Sequence, residues 1–180
     1  MTTPLNIVTL CTGNVARSVM LGYMLTTLAE SDGAEWNVRT AGTHVIEGSA
    51  MSSRTRDALL KIEELGGHRY TAHRSHQLND SDCKWADIIL AAEFDNVRFV
   101  RTKFPDYADK AVQLSGFVRY ASLDGDVHVK LRSIAQHEPA SEFNVADPAG
   151  GSQATYDACA RHLWDLARAF TSIVVDDNTD

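Results

Sequence analysis

Leu5-Asn6-Ile7-Val8-Thr9-Leu10, then Cys11-Thr12-Gly13-Asn14-Val15-Ala16-Arg17-Ser18, then Val19 onward with Leu21, Leu25 and Leu28 at helical spacing, is the stretch that decides the fold. The first run is apolar and rich in β-branched residues, which reads as a buried strand. The second is small and polar with a glycine inside, which reads as a loop. The third is helical, and Gly33 suits its stop. Strand, tight loop and helix open a βαβ unit.

The pattern repeats outward from there. Trp36 to Ala41 reads as a second strand and Gly42 to Gly48 as a loop. Ser52 or Ser53 can cap a helix carrying Ala58, Ile62 and Leu65, with Gly66-Gly67 ending it. Arg69 to Asp82 is polar and reads mostly as loop. Ala86 to Ala92 is a third strand, followed by Val97, Val100 and Phe104 at helical spacing and Pro105 as breaker. Lys110 to Leu114 is a fourth strand, and Val127, Leu131 and Ile134 suggest a further helix. His137 to Ser152 is a long Pro/Gly/Ser-rich loop of the kind that is functional or disordered. Tyr156, Cys159, Leu163, Ala167, Phe170 and Val174 mark one stripe of a last helix, and 176–180 reads as a flexible, solvated tail. The expected fold class is α/β, three layers, with a parallel sheet covered by helices on both faces. Ligands of such folds bind beyond the C-terminal ends of the strands, where Cys11 to Ser18 lies.

Composition bounds the rest. A chain of 180 residues, 44% apolar and 23% charged, is an ordinary globular chain, expected as one domain over 1–180. Seventeen basic against 24 acidic residues give a net charge of −7, which argues against nucleic acid or an anionic membrane as partner. No segment approaches the ~20 apolar residues of a membrane span, and no basic region precedes an apolar run near Met1. Cys11, Cys83 and Cys159 are too few for a disulfide framework, so reduced thiols in a cytoplasmic protein are expected.

Cys11 and Arg17 are separated by five residues, enough to curl the chain into a cradle of inward N–H groups that fits a tetrahedral oxyanion. The helix behind it adds its N-terminal dipole. Arg17 brings a planar fork that can hold two oxygens. Cys11 lies at the bottom, where the same donors stabilise a thiolate, and Ser18 can donate to the sulfur. Gly13 permits backbone angles closed to other residues, and Asn14 tolerates left-handed angles and can pin the loop with its side chain. A lone free cysteine is most often a small buried hydrophobe; the Arg-Ser partners at this spacing, between strand and helix, favour chemistry. Asp147-Pro148 supplies the second element. Attack on a phosphate ester needs a proton donor for the leaving oxygen and then a base for the attacking water, and one carboxyl can serve both. Pro148 restricts Asp147 to extended angles. His68, His73 and His76 lie in loop-like sequence without a completing Cys or carboxylate, so no metal site is assigned.

These features together, with Thr40-Ala-Gly-Thr43, His73-Arg-Ser-His-Gln-Leu78 and Asp87-Ile-Ile-Leu90, resemble the low-molecular-weight protein tyrosine phosphatases and the arsenate reductases that share their fold. The resemblance runs from about Leu5 to Phe170. It implies a four-stranded parallel sheet flanked by helices. It implies Cys11 as nucleophile, the backbone of Thr12, Gly13, Asn14, Val15, Ala16 and Arg17 with the Arg17 side chain as phosphate cradle, Ser18 as thiolate donor, and Asp147 as general acid. It also likens His73 to a histidine that steadies the loop through Asn14, and His44 to Glu47 to a segment at the pocket mouth. Two departures stand out: Ala16 replaces a second loop cysteine, and Ala149-Gly150 replace the aromatic pair that often follows Asp-Pro. The second leans toward the reductases, but no resolving cysteine follows the third strand.

The expected function is therefore a cysteine-dependent phosphomonoesterase of the tyrosine phosphatase type, working through a thiophosphate on Cys11 without metal or organic cofactor. Its partners would be a phosphorylated protein or a small aryl phosphate, with inorganic oxyanions binding in the loop. A single-cysteine arsenate reductase using a low-molecular-weight thiol is the alternative, and a non-catalytic phospho-binding module a second.

Overall fold

The computed structural model describes residues 4–134 and 137–175; the expected tail at 176–180 lies outside them. Four strands form one sheet: β1 (Leu5–Cys11), β2 (Trp36–Gly42), β3 (Ile88–Ala91) and β4 (Ala111–Gln113). Their order is β2-β1-β3-β4 and every pairing is parallel. Parallel neighbours require crossovers, which the helices provide: α1 (Arg17–Asp32), α2 (Ser53–Leu60), α3 (Asp80–Trp85), α4 (Phe94–Lys103), α5 (Leu114–Tyr120), α6 (Val127–Ile134) and α7 (Gln153–Val175).

Alternation along the central strands sorts the core into two layers. Ile7 and Cys11 of β1, with Ile88 and Leu90 of β3, pack under Met20, Met24, Leu59, Phe117 and Phe170. Val8 and Leu10, with Ile89 and Ala91, pack on the other face under Cys83, Val97 and Val100. One face thus carries α1, α2, α5, α6 and α7, and the other α3 and α4. Two-sided burial explains why β1 and β3 read as unbroken apolar runs rather than alternating ones.

Capping follows the local chemistry. Gly33 ends α1 at φ 67°, and Ser52 begins α2 by accepting the Thr55 N–H at 3.1 Å. The structure departs from the sequence reading in three places. α2 stops at Leu60, and Leu65 belongs to a separate turn over Glu63–Leu65. The stretch read as loop to Asp82 ends in α3, which starts on a reciprocal Asn79–Asp82 capping box that polarity concealed. β4 is only three residues long, and Leu114 already opens α5. The long loop from His137 is shaped by the sheet edge. Gln113 donates to the Ala140 carbonyl at 2.9 Å and accepts the Ala140 N–H at 2.7 Å, and the Val145 N–H reaches the Ala92 carbonyl at 2.8 Å.

Candidate active site

Cys11 is the last residue of β1, paired with Gly42 of β2, and is 3% exposed. The chain then curls through Thr12 to Ala16 and enters α1 at Arg17. The loop's carbonyls are taken from outside. Cys11 O accepts from Thr43 N (3.0 Å), Thr12 O from His44 N (2.9 Å) and Asn14 O from His73 Nε2 (2.8 Å). Val15 O accepts from Thr55 Oγ1 (3.0 Å), Ala16 O from Met20 N (2.8 Å) and Ser18 O from Thr9 Oγ1 (2.7 Å). In a trans peptide N–H and C=O point opposite ways, so outward carbonyls turn amides toward the loop's interior, at the N-terminus of α1.

Asn14 is the centre of this arrangement. Among the described residues it is the non-glycine with positive φ, at 52°. That is the left-handed region the sequence led us to expect for Asn14. Gly13, whose freedom would permit such angles, has no positive φ, and a Cβ on it would meet only a Val15 methyl at 3.7 Å. The left-handed turn aims the Asn14 N–H at Cys11 Sγ, 3.3 Å away. Its side-chain oxygen accepts the His76 N–H at 2.9 Å, which orients the amide so that Nδ2 donates to Ser18 Oγ (2.8 Å) and Thr40 Oγ1 (2.9 Å). Ser18 Oγ, once an acceptor from Asn14, has its own proton free for Cys11 Sγ at 3.0 Å. The sulfur therefore receives two hydrogen bonds, each oriented by residues outside the loop. His73 donates through Nε2–H. Burial pushes its pKa below the usual histidine value, against the Asn14 carbonyl, which raises it; Arg74 lowers it further.

Gly42 shows why β2 ends where it does. A Cβ there would lie 2.4 Å from Val45 Cγ1, 2.6 Å from the Thr12 carbonyl and 3.1 Å from Asn14 Cβ. Only a glycine lets β2 approach the loop this closely.

Arg17 is buried, its side chain 3% exposed, and its fork is fully engaged. Nη1 donates to Val145 O at 3.1 Å and pairs with Glu93 Oε2 at 3.1 Å. Nη2 donates to Glu93 Oε1 at 3.3 Å and to Asp147 Oδ2 at 3.0 Å. Burial alone would lower the pKa of Arg17. The Glu93 hydrogen bond and the charges of Asp147, Cys11 and Glu93 outweigh it, so Arg17 stays charged. Glu93 moves the other way: burial raises its pKa, but the hydrogen bonds from Arg17 and Thr12 and the Arg17 charge bring it below the usual carboxylate range. Asp147 is held more loosely, its side chain 49% exposed, with Oδ1 accepting from Ala149 N at 3.0 Å.

The structure thus joins Cys11 to Ser18 and Arg17 to Asp147. Cys159 lies on α7, 8% exposed, and Cys83 on α3, 0% exposed. Burial raises each thiol to about 11, and neither is bonded to another cysteine. Of the remaining histidines, His68 bonds Thr27 Oγ1 at 2.6 Å, and His76 bonds Asp82 at 2.7 Å and Glu47 at 3.2 Å. His44 stacks edge-on against Phe99 at 5.4 Å and lines, with Thr12, Thr43, Glu93 and Asn96, an open groove of about 530 Å³ beside the loop. Ile46, at the expected mouth, is 83% exposed. Sequence reading missed Glu93 and Thr55, and gave Thr40 no role beyond its motif. Glu93 alone carried a signal: it follows the third strand directly, at the sheet's ligand-binding end.

The low molecular weight phosphotyrosine protein phosphatase family model matches residues 6–179. The chain belongs to this family. A protein-arginine-phosphatase of Geobacillus stearothermophilus is 31% identical over 160 residues, 89% of each chain. The low molecular weight protein tyrosine phosphatase of T. tengcongensis superposes with a TM-score of 0.74 at 28% identity, covering 92% of this chain and 97% of that one. The YwlE arginine phosphatase of Geobacillus stearothermophilus has a TM-score of 0.74 at 28% identity, covering 97% and 95%. Membership of the low molecular weight phosphatases brings cysteine-based phosphatase chemistry, and the sheet with helices on both sides is theirs. No helix among the described residues is long and apolar enough to cross a membrane.

Proposed function

We propose that the protein dephosphorylates proteins in two steps, with Cys11, Arg17 and Asp147 as its catalytic residues. The phosphoryl group sits among the amides of Thr12, Gly13, Asn14, Val15, Ala16, Arg17 and Ser18, with the Arg17 fork at its rim. The Cys11 thiolate attacks phosphorus in line, the bond from phosphorus to the leaving atom breaks, and Asp147 gives that atom its proton. Loop amides and Arg17 hold the equatorial oxygens as charge builds on them. Water then attacks the thiophosphate on Cys11, Asp147 takes the water proton, and inorganic phosphate leaves with the thiolate restored. The reaction balances with water as sole co-reactant. The observation that carries this reading is the pair of oriented donors on Cys11 Sγ, Ser18 Oγ at 3.0 Å and Asn14 N at 3.3 Å, beside an arginine that holds the acid at 3.0 Å.

Phosphotyrosine is the substrate class expected from the sequence. A second reading, phosphoarginine, has specific support. Relatives bear that activity in their names. Ala149 and Gly150 offer no ring to stack on a phenol. Three buried, unpaired cysteines fit a reducing, cytoplasmic setting.

The test is turnover of purified protein on an aryl phosphate, a phosphoarginine peptide, and arsenate with a low-molecular-weight thiol, with Cys11→Ser as blank. Phosphate release that requires Cys11 is expected, and the preferred organic substrate names the class. Arsenate reduction with no phosphate release would replace this reading by the reductase. Stoichiometric phosphate binding without release would replace it by a binding module.

A further inference from the structure

Arg17 donates hydrogen bonds to Val145 O, Glu93 Oε1 and Asp147 Oδ2, and its Nη1 lies 3.1 Å from Glu93 Oε2 in an ion pair. One cation therefore faces two carboxylates before any substrate arrives. The two are not equivalent. Glu93 is clamped: its carboxylate also accepts from Thr12 Oγ1 at 2.8 Å, its backbone N–H donates to Asn96 Oδ1 at 3.2 Å, and Asn96 Nδ2 supports Thr12 Oγ1 at 3.3 Å. Its side chain is 23% exposed, against 49% for Asp147. An incoming oxyanion that takes a place on the fork displaces the loose carboxylate and leaves the clamped one.

We propose that Glu93 is a positioning residue and resident counter-anion: it stays on the Arg17 fork through the cycle, aims it, and holds down the affinity of the loop for dianions so that phosphate is released. The physics is direct. A two-point ion pair fixes the plane of the guanidinium, which a single contact would not. It also offsets the positive charge in a largely buried setting, where charges interact more strongly than in water. A dianion meets that repulsion twice as strongly as a monoanion.

The proposal rests on the reading of Cys11 to Ser18 as an oxyanion cradle, and the test separates the two. Wild type and Glu93→Gln, which keeps the shape and removes the charge, are titrated at pH 7 with sulfate and with perchlorate, as competitive inhibitors and by calorimetry. Wild type that binds neither ion, nor inorganic phosphate, overturns the cradle itself. In Glu93→Gln the sulfate constant is expected to fall on the order of tenfold, the loss of one charge-assisted contact. Perchlorate should move much less, KM should fall with sulfate, and kcat should not rise. Sulfate binding that weakens, or shifts equally with perchlorate, makes Glu93 a brace only and overturns the proposal. Thr12→Val provides a second variant should Glu93→Gln melt early. It loosens the clamp but keeps the charge, so the sulfate constant should stay near the wild-type value while kcat falls with the loosened aim; a sulfate constant that falls tenfold traces the effect to bracing rather than charge and overturns the proposal.

Discussion

The loop from Cys11 to Ser18 and the loop that carries Asp147 meet at one guanidinium and are built on opposite plans. In the first, carbonyls, side-chain amide and hydroxyls are tied to β1, β2 and the 73–76 segment, and the sulfur sits at 3% exposure. In the second, the base is tied to β4 through Gln113, but Asp147 itself is half exposed and leans on Arg17 by a single ion pair. The lesson is a division of labour. Holding an oxyanion demands donors fixed before the charge arrives. Moving a proton to one atom and later taking one from another demands a group that can leave its resting partner.

That contrast can be broken in order of effect. Cys11→Ser removes the nucleophile from an intact cradle: turnover should drop on the order of 10^4-fold or more, with oxyanion binding retained by calorimetry. Retained turnover would end the assignment of Cys11. Asp147→Asn touches only the exposed half. Substrates with poor leaving groups should slow by about 10^2–10^4-fold and activated aryl phosphates far less, because only the former need the proton. Equal losses on both would remove Asp147 from the proton's path. Gly42→Ala attacks the rigid half from behind. A methyl at 2.6 Å from the Thr12 carbonyl must push the loop. Overpacking should cost about 1–3 kcal/mol in denaturant unfolding. Misplaced donors should cost up to about 10^2-fold in kcat. An unchanged kcat would mean that the cradle tolerates displacement, against the contrast drawn above.

The smallest effect concerns the two histidines that grip Asn14. Burial pushes the pKa of His73 below 6.5. The unfolded chain then binds the proton more readily, so this stability is full above pH 6.5 and is lost as pH falls. His76 is raised: burial lowers its pKa, but hydrogen bonds and charge from Asp82 and Glu47 outweigh that. Its contribution is full below 6.5 and is lost as pH rises through the folded value. The slopes oppose, so the wild-type melting temperature should vary little between pH 5 and 8. His73→Gln should leave a Tm that falls with rising pH, and His76→Gln one that rises, each by less than about 3 °C because His76 is 40% exposed. Parallel slopes in the two variants would contradict the assignment.

Much of this was legible in the chain. The β1-loop-α1 run fixed the βαβ opening, because a buried parallel strand, a five-residue curl and a helical repeat each leave a distinct local pattern. Asn14 was legible too, since among non-glycine residues it is one of the few that accept a left-handed turn and offer a donor and an acceptor beside it. Gly13 was less informative, because glycine permits such a turn without requiring it. α3 was hidden because Asn79, Asp80 and Asp82 look like loop residues until their capping box is seen. The family and its phosphatase chemistry were legible as a resemblance, carried by the Cys11 to Ser18 run and Asp147-Pro148.

What the sequence by itself determined is the chemistry at each point: a thiol at a strand's end, an arginine entering a helix, a carboxyl before a proline. Only the tertiary structure decided who answers whom. Glu93 lies 76 residues from Arg17 and Asp147 130 residues from it. His76 reaches Asn14 across 62 residues, and Thr55 reaches Val15 across 40. Such partners meet because parallel strands bring their C-terminal ends to one edge of the sheet. No local periodicity encodes that meeting, since it depends on strand order rather than on neighbours in the chain.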